Sequence, residues 1–402
     1  MNNSQKYFLE LISSQINETD VMVSENIIDW CEIYNLAKIH SLESIVFSAI
    51  NKLQNKMDIP LEIYNKLKKK LLFQMKYNMV FDQNADKLID VFNEEKIKHI
   101  VIKGYILKKY YPSREYRSMS DIDIFIDLSD REKVYKIMKY LGYENERQCD
   151  DVWTYKKKFS YIEVHTTLVE QEIKQDIDFK KYFSNPWEYT VSLKGDYSYT
   201  LNKNYHLIYL LVHIAKHFYG CGCGVRMIMD IAMYINKFGK ELDWDYIWAE
   251  MDKVDLRLLT QNILILCNKW FDTNLDFEYE IEEEFYNKLS ETILTGGTFG
   301  FYNSNFRIAQ IRNDIAKTNK KSNSVKTKIL KQMLFPSYEE LIKSKQYSFL
   351  RDKKYLIGFT WIYRGFYQLK SRGFGSLGYL GSVLNSENKI KEQNETMNKL
   401  GL

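Results

Sequence analysis

Apolar side chains follow two different periods along the chain, and the changes of period divide it into regions. Residues 1–95 carry apolar positions about every 3.6 residues, the period of helices that bury one face. The longest helix is predicted to begin after Pro60 and to run to Phe92. Its buried stripe is expected to comprise Leu67, Leu71, Leu72, Met75, Met79, Phe81, Leu88 and Val91. We interpret residues 1–95 as an N-terminal helical domain that braces the next region.

The period changes to two within a second region, residues 96–201. The residues from Asp121 to Asp127 read DIDIFID, an alternation that predicts a strand. Asp121 and Asp123 then share one face, while the isoleucines between them face the core. Neighbouring carboxylates repel each other unless a cation lies between them, so the pair predicts a site for a divalent metal ion.

Two features beside this strand add to the predicted site. Lys103-Gly104 ends a short apolar strand and opens an amphipathic stretch. A strand, a glycine turn and a helix N-terminus bind phosphate because free backbone N–H groups point at the anion. Residues 152–158 and 160–166 predict a hairpin whose second strand carries Glu163 and His165 on one face. Glu163 is therefore a third carboxylate for the site, and His165 is its neighbour.

These residue types suit nucleotidyl transfer. That reaction uses two Mg²⁺ ions to hold the triphosphate and to activate the attacking hydroxyl. Asp121 and Asp123 are expected to ligate both ions, and Glu163 to ligate one of them and to accept the hydroxyl proton. The alternative interpretation is an exposed aspartate pair beside an ordinary surface glutamate.

Residues 202–385 return to helical periodicity and form a predicted C-terminal helical domain, followed by a flexible tail at residues 386–402. His213 and His217 lie four residues apart on one predicted helix, where they either face the site or pack between helices. Arg226 and Asp230 have the same spacing on the next helix. They form an ion pair within that helix, or they lie at the rim of the pocket.

Composition restricts the class of protein. Lys and Arg total 57 and Asp and Glu total 53, so the net charge of +4 gives no reason to expect binding to long DNA. The five cysteines have no spacing typical of a disulfide framework, and the N-terminus lacks a signal-peptide pattern. The longest apolar run, residues 207–215, is too short to span a bilayer. We therefore expect a soluble cytoplasmic protein with no membrane partner.

Several short motifs, taken together, resemble one family. They are Lys103-Gly104, Tyr111-Pro112, Arg117 to Ile124, Leu141-Gly142-Tyr143, Ile162 to His165, His213 with His217, Arg226, Asp230 to Ala232, and Leu334 to Ser337. In this combination the sequence resembles the poorly characterised bacterial nucleotidyltransferase family of the DNA polymerase β superfamily. The resemblance extends over most of the chain.

The resemblance implies an α+β fold, with a polymerase-β-type nucleotidyltransferase core of a small mixed sheet and helices between two mainly helical domains. It implies transfer of a nucleoside monophosphate from an NTP, with ATP expected and Mg²⁺ or Mn²⁺ as cofactor, and release of pyrophosphate. The catalytic and metal-binding residues would be Asp121, Asp123 and Glu163. The expected phosphate binders are Lys103, Gly104, Arg114, Arg117 and Ser120, and the expected pocket wall is His165, His213, His217, Arg226 and Asp230.

One departure from the wider superfamily concerns the phosphate site. Lys103-Gly104 stands where a Gly-Ser pair is usual, so a lysine side chain would replace a serine hydroxyl there. The sequence does not name the acceptor, for which a small molecule or biosynthetic intermediate is favoured over protein or RNA. Two alternatives stay open: an AMP-transferring, antitoxin-like enzyme that acts on a protein or RNA, and a scaffold that binds a nucleotide without catalysis.

Overall fold

The computed structural model describes residues 1–402 apart from 54–57, 159, 170–172, 175, 221, 274, 276–278, 299, 301–305, 319–321 and 373–385. The chain begins with α1 (Asn3–Ile16), α2 (Trp30–His40), α3 (Glu43–Lys52) and the long α4 (Leu61–Glu94). The first part of α4 buries Ile63 and Leu67 against the preceding helices, and its last part buries Leu88 and Phe92 in a second core. One helix therefore connects two cores.

The middle of α4 differs from the predicted apolar stripe. Leu72, Met75 and Met79 are 52%, 48% and 61% exposed, whereas Gln74 and Asn78 are buried. Gln74 Nε2 donates to Asn78 Oδ1 at 2.8 Å, and Asn78 Nδ2 donates to the Arg114 carbonyl at 3.1 Å. Burial of these amides is tolerated because both make hydrogen bonds. The stripe is therefore wrong in the segment between the two cores.

A seven-stranded mixed sheet forms the middle of the chain. Its region contains β1 (His99–Ile102), α5 (Gly104–Leu107), β2 (Asp121–Ile126), α6 (Arg131–Tyr140), β3 (Glu144–Gln148), β4 (Val152–Lys157), β5 (Ser160–His165), α7 (Phe179–Tyr182), β6 (Thr190–Lys194) and β7 (Ser198–Leu201). The strand order is β3-β4-β5-β2-β1-β7-β6, and the pairs β2–β5 and β1–β7 are parallel. The predicted α+β class, with helices on both sides of a mixed-sheet core, is confirmed.

Each face of the sheet packs against a different set of helices. Ile122, Ile124 and Ile126 on β2 lie in the core that also contains residues of α4 and α6. Ile102 and Phe125 point to the other face and join the larger core. The isoleucines of β2 thus alternate with its aspartates as the period of two predicts.

The remaining chain is helical. It contains α8 (Lys203–Gly220), α9 (Val225–Phe238), α10 (Trp244–Lys253), α11 (Arg257–Phe271), α12 (Glu283–Gly296), α13 (Phe306–Thr318), α14 (Ser322–Leu334), α15 (Tyr338–Leu341), α16 (Ile357–Arg372) and α17 (Glu387–Lys399). Buried residues of α1–α3 and of α8–α12 belong to one continuous cluster, so one core spans both helical regions. Within the described ranges, no helix has the length and apolar character needed to cross a membrane.

The last residues differ from the flexible tail that the sequence led us to expect. Residues 387–399 form α17, in which Ile390 and Met397 are buried, and Leu400 is buried just after it. These three apolar residues lie on one side of the helix because their spacing of seven and three residues matches its period. A few apolar positions in a polar segment therefore suffice to dock it.

Candidate active site

A cavity of about 460 Å³ lies between one face of the sheet and the helices α8 and α9. Every site residue predicted from the sequence lines it, with the exception of Arg114. These residues are Lys103, Gly104, Arg117, Ser120, Asp121, Asp123, Glu163, His165, His213, His217, Arg226 and Asp230. The volume lies within the range of pockets that enclose small ligands.

The carboxylates are brought together by strand pairing. In the parallel pair of β2 and β5, Asp123 lies opposite Glu163, and Asp121 lies opposite Tyr161. Cross-strand partners point to the same face of a sheet, so Asp123 and Glu163 both face the cavity. Asp121 is on the same face, two residues earlier in β2. The tertiary fold therefore assembles three carboxylates that the sequence offered on two separate segments.

Asp123 is buried and already paired. Lys103 Nζ lies 2.7 Å from Oδ1 of Asp123, and His165 Nε2 lies 2.9 Å from the same oxygen. Burial alone would raise the pKa of Asp123, but Lys103 and His165 hold that pKa well below its ordinary range. The lysine expected to meet phosphates is thus paired with a carboxylate of the same site.

Asp121 is in the opposite electrostatic situation. Burial, together with repulsion from Asp123 and Glu163, raises the pKa of Asp121 to about 6. Two neighbouring carboxylates of the same site are therefore shifted in opposite directions. Neighbouring groups whose pKa values are shifted apart are typical of functional sites.

The donor set fits a divalent cation. Ligand atoms of Asp123, Glu163 and His165 lie within 4.8 Å of one another. In the part of the chain that the structure describes, no other group of three acidic, histidine or cysteine side chains meets this condition. His165 takes the position in this group that the sequence gave to Asp121, which lines the same cavity beside it. Carboxylate oxygens are the ligands that Mg²⁺ and Mn²⁺ prefer.

The Lys103-Gly104 turn has an unusual backbone conformation at the lysine. Lys103 has φ 54° and ψ −132°, a conformation that costs a residue with a side chain about 1–3 kcal/mol. The helix that follows has only four residues, so the predicted phosphate seat has a single helical turn behind it. A side chain on Gly104 would come within 3.4 Å of the Arg117 guanidinium. This is an ordinary van der Waals distance, so the guanidinium of Arg117 lies directly beside the turn.

A buried network fixes Arg117. Its guanidinium donates to both oxygens of Asp230, at 2.9 Å to Oδ1 and 2.8 Å to Oδ2, and Tyr111 donates to Oδ1 at 2.6 Å. Arg226 donates to the carbonyl of Ser118 at 3.0 Å. Asp230 thus binds a residue 113 positions away, rather than serving only its own helix. Burial, with repulsion from Arg117, lowers the pKa of Arg226 to about 10.

His213 and His217 both line the cavity, with their Nε2 atoms 3.2 Å apart. Burial, followed by nearby positive charges, lowers the pKa of His217 to about 3, and burial lowers the pKa of His213 well below its ordinary value. Both rings are therefore neutral at physiological pH. The sequence left open whether these rings face the site or pack between helices, and in the structure both line the cavity.

Arg114 lies away from the cavity. Its side chain is 62% exposed, and Nη1 pairs with Asp82 Oδ2 of α4 at 3.1 Å. Ser120, by contrast, is exposed at the cavity wall beside Asp121. The loop between α5 and β2 therefore presents Arg117 inward and Arg114 outward, a choice that sequence spacing does not encode.

Several cavity residues were missed by the sequence analysis. They are Arg147, Cys149, Thr154, Lys216 and Thr298. Thr154 lies opposite Glu163 in the hairpin, and Lys216 precedes His217, so hairpin register and helix spacing could have identified both. Thr298 comes from a distant segment and carried no local signal. Arg147 reaches the cavity because of an irregular strand pairing.

Comparison with known proteins shows that the chain matches one protein family. A family model described as uncharacterised nucleotidyltransferase matches residues 26–272, more than half of the chain. The crystal structure of a lincosamide antibiotic adenylyltransferase, LnuA, with lincomycin bound is 17% identical and covers 38% of this chain and 94% of its own, with a TM-score of 0.28. A TM-score this low does not establish a shared fold or a shared substrate. No protein of curated function matches the chain significantly.

Proposed function

Because the chain belongs to the uncharacterised nucleotidyltransferase family, we propose that it transfers a nucleoside monophosphate from an NTP, expected to be ATP, to a hydroxyl of a small-molecule acceptor. The observation that carries this proposal is the parallel register of Asp123 and Glu163 in one cavity with Lys103 and Arg117. Carboxylates beside cationic side chains suit a reaction in which a metal-bound polyphosphate must be held and cleaved.

Asp123, Glu163 and His165, with Asp121 beside them, would hold the divalent cation. When bound, such an ion neutralises phosphate charge and lowers the pKa of the attacking hydroxyl. The ammonium of Lys103 donates a hydrogen bond to Oδ1 of Asp123. In the proposed reaction Lys103 would contact the β- and γ-phosphates from its place beside Asp123.

The proposed reaction exchanges one oxygen–phosphorus bond for another at the α-phosphorus. The acceptor oxygen attacks the α-phosphorus, and its proton passes to a carboxylate oxygen of Glu163. A new oxygen–phosphorus bond forms while the bond from the α-phosphorus to the bridging oxygen of the β-phosphate breaks. Pyrophosphate leaves with the electrons of that bond, stabilised by Lys103 and by Arg117, which Asp230 and Tyr111 hold in place.

A small acceptor is supported by the dimensions of the cavity. Its volume of about 460 Å³ lies between the sheet and two helices, and the reactive carboxylates face inward. A space of this size is typical of sites for nucleotides and metabolites.

The test compares nucleotide binding with turnover in three purified proteins: wild type, Asp123→Asn and Glu163→Gln. Mg²⁺ with the correct NTP should raise the melting temperature of the wild type by mass action. Asp123→Asn should lose that shift. Glu163→Gln should keep most of it, because Asp121, Asp123 and His165 remain to hold the cation. Its pyrophosphate release with an acceptor should fall by roughly two to four orders of magnitude, the usual contribution of a general base.

Glu144→Gln is the matched control, because it removes an exposed carboxylate from the edge strand β3. It should behave as wild type in both assays. Mg²⁺-dependent NTP binding that survives in Asp123→Asn would refute the assigned site. Binding to the wild type without pyrophosphate release from any acceptor would instead favour a nucleotide-binding scaffold.

A further inference from the structure

A row of polar side chains crosses four neighbouring strands on the cavity face of the sheet. Asp123 pairs with Glu163, Glu163 pairs with Thr154 in the next strand, and Thr154 pairs with Arg147 on the edge strand β3. All four residues line the cavity. The row therefore leads from the buried carboxylate to a guanidinium at the edge.

Arg147 faces the cavity because of a β-bulge. The pairing of β3 with β4 shifts register between Asn145 and Arg147, so Glu146 is an extra residue. With regular pairing, Glu146 would lie opposite Thr154, and Arg147 would point to the other face, since a one-residue shift reverses every side chain. The bulge thus places a positive charge in the row where a carboxylate would otherwise stand. Bulges beside active sites commonly re-aim a side chain in this way.

The backbone at Arg147 is held in place by the C-terminal region. Arg147 forms an isolated antiparallel bridge with Ser344, which covers the open edge of β3. The backbone of Arg147 therefore has a pairing partner on each side, Thr154 of β4 and Ser344. The bulged residue is therefore part of an ordered wall of the cavity.

Arg147 differs electrostatically from the inner cations of the cavity. Lys103 is paired with Asp123, and Arg117 is paired with Asp230. The Arg147 side chain is exposed, and it has no hydrogen-bond or ion-pair partner among the described residues. A guanidinium that lines a cavity without a partner is suited to bind a carboxylate or a phosphate, because its N–H groups match the spacing of two acidic oxygens.

We propose that Arg147 binds an anionic group, a phosphate or a carboxylate, on the acceptor, so that the acceptor is an anionic hydroxyl compound. This inference rests on the proposed function. In nucleotidyl transfer the attacking and leaving oxygens lie on opposite sides of the α-phosphorus. Lys103 follows β1 on one side of β2, whereas Glu163, Thr154 and Arg147 lie on the other side. Arg147 is therefore on the side from which the acceptor arrives.

The row also limits the size of the acceptor. The backbones of Glu163 and Arg147 are two strand spacings apart, about 10 Å. The hydroxyl reaches Glu163 while the anionic group reaches toward the guanidinium from the edge. A molecule of the size of a sugar phosphate or sugar acid spans this interval, with Thr154 between the two ends.

The test measures anion binding to the full chain loaded with Mg²⁺ and α,β-methylene-ATP, which occupies the nucleotide site without reacting. Inorganic phosphate is titrated first, followed by glucose 6-phosphate, glucuronate and glucose, by calorimetry at low ionic strength because salt screens an exposed charge. Arg147→Gln is compared with wild type and with Arg257→Gln, which removes an exposed arginine on α11 that does not line the cavity.

The nucleotide analogue should bind all three proteins equally. Inorganic phosphate should bind the wild type and Arg257→Gln, and about tenfold to a hundredfold more weakly to Arg147→Gln, the usual effect of losing a charged hydrogen bond. Glucose 6-phosphate or glucuronate should bind more tightly than glucose, and the stronger of the two identifies the anionic group as phosphate or carboxylate.

Three outcomes would overturn the inference. They are absence of phosphate binding to the loaded wild type, equal phosphate binding by Arg147→Gln, and loss of the nucleotide analogue in Arg147→Gln, which would assign the arginine to the NTP. Failure of the analogue to bind the wild type is a different result, because it refutes the proposed function on which the inference rests.

Discussion

Removing the charge of Lys103 is the most informative single perturbation of this site. Asp123 is buried, the side chain of Lys103 is only 15% exposed, and the two side chains meet at 2.7 Å. The variant Lys103→Met keeps most of the aliphatic stem but leaves the carboxylate without its ammonium. Breaking a buried ion pair from one side leaves an uncompensated charge in a region of low polarity, which costs about 3–5 kcal/mol.

This free energy can be converted into a melting temperature. An unfolding entropy of about 2.1 cal/mol/K per residue gives about 0.84 kcal/mol/K for 402 residues that unfold as one unit. The variant should therefore melt about 4–6 °C below the wild type in the presence of a chelator. A divalent cation can replace the missing ammonium at Asp123, so Mg²⁺ or Mn²⁺ should raise the melting temperature of the variant more than that of the wild type.

The assay is thermal unfolding followed by circular dichroism at pH 8, well above the ordinary titration range of imidazole. Lys139→Met, which removes an exposed lysine from α6, is the control and should melt as the wild type does. The double variant Lys103→Met with Asp123→Asn should regain much of the lost stability, because the unpaired charge is gone. If Lys103→Met melts within about 1 °C of the wild type without metal, the pair does not compensate Asp123 as argued.

Two further predictions concern the neighbouring charges. Burial and repulsion raise the pKa of Asp121 to about 6, so ionisation of this carboxylate destabilises the folded protein as the pH rises from about 4 to 6. Without metal, Asp121→Asn should therefore exceed the wild type in stability by at most about 3 kcal/mol at pH 7 and should lose that advantage near pH 4; urea unfolding that shows no gain at pH 7 would contradict the assignment. Arg117→Gln should lower the free energy of unfolding by about 3–5 kcal/mol, because Asp230 then stays buried without its guanidinium, whereas Arg117→Lys should cost less; equal stability of Arg117→Gln and wild type would contradict this account.

The sequence determined the features that depend on local period and residue type. Alternation along residues 121–127 predicts both the strand and the face shared by Asp121 and Asp123, because successive side chains of a strand point in opposite directions. The hairpin that carries Glu163 follows from two short β-prone segments close together in the chain. The helical character of the flanking regions follows from the 3.6-residue period.

Local pattern failed where long-range packing overrides it. The stripe predicted for α4 placed Met75 and Met79 inside, but the segment lies between two cores, and Gln74 and Asn78 are buried instead. The sequence placed both arginines of the loop before β2 among the expected phosphate binders, with Arg114 the weaker of the two. Only Arg117 meets a buried partner, Asp230, while Arg114 pairs outward with Asp82.

The tertiary structure alone decided how the charges of the site are compensated. Lys103 meets Asp123 across 20 residues, Arg117 meets Asp230 across 113, and Arg147 enters the cavity only because Glu146 forms a bulge. None of these contacts, nor the bulge, produces a periodic pattern in the sequence. Electrostatic interactions depend on distance and burial in space, and a one-residue change of register reverses the face on which a charge appears. Sequence therefore supplied the reactive groups, and three-dimensional packing determined which of them are neutralised and which remain available to a ligand.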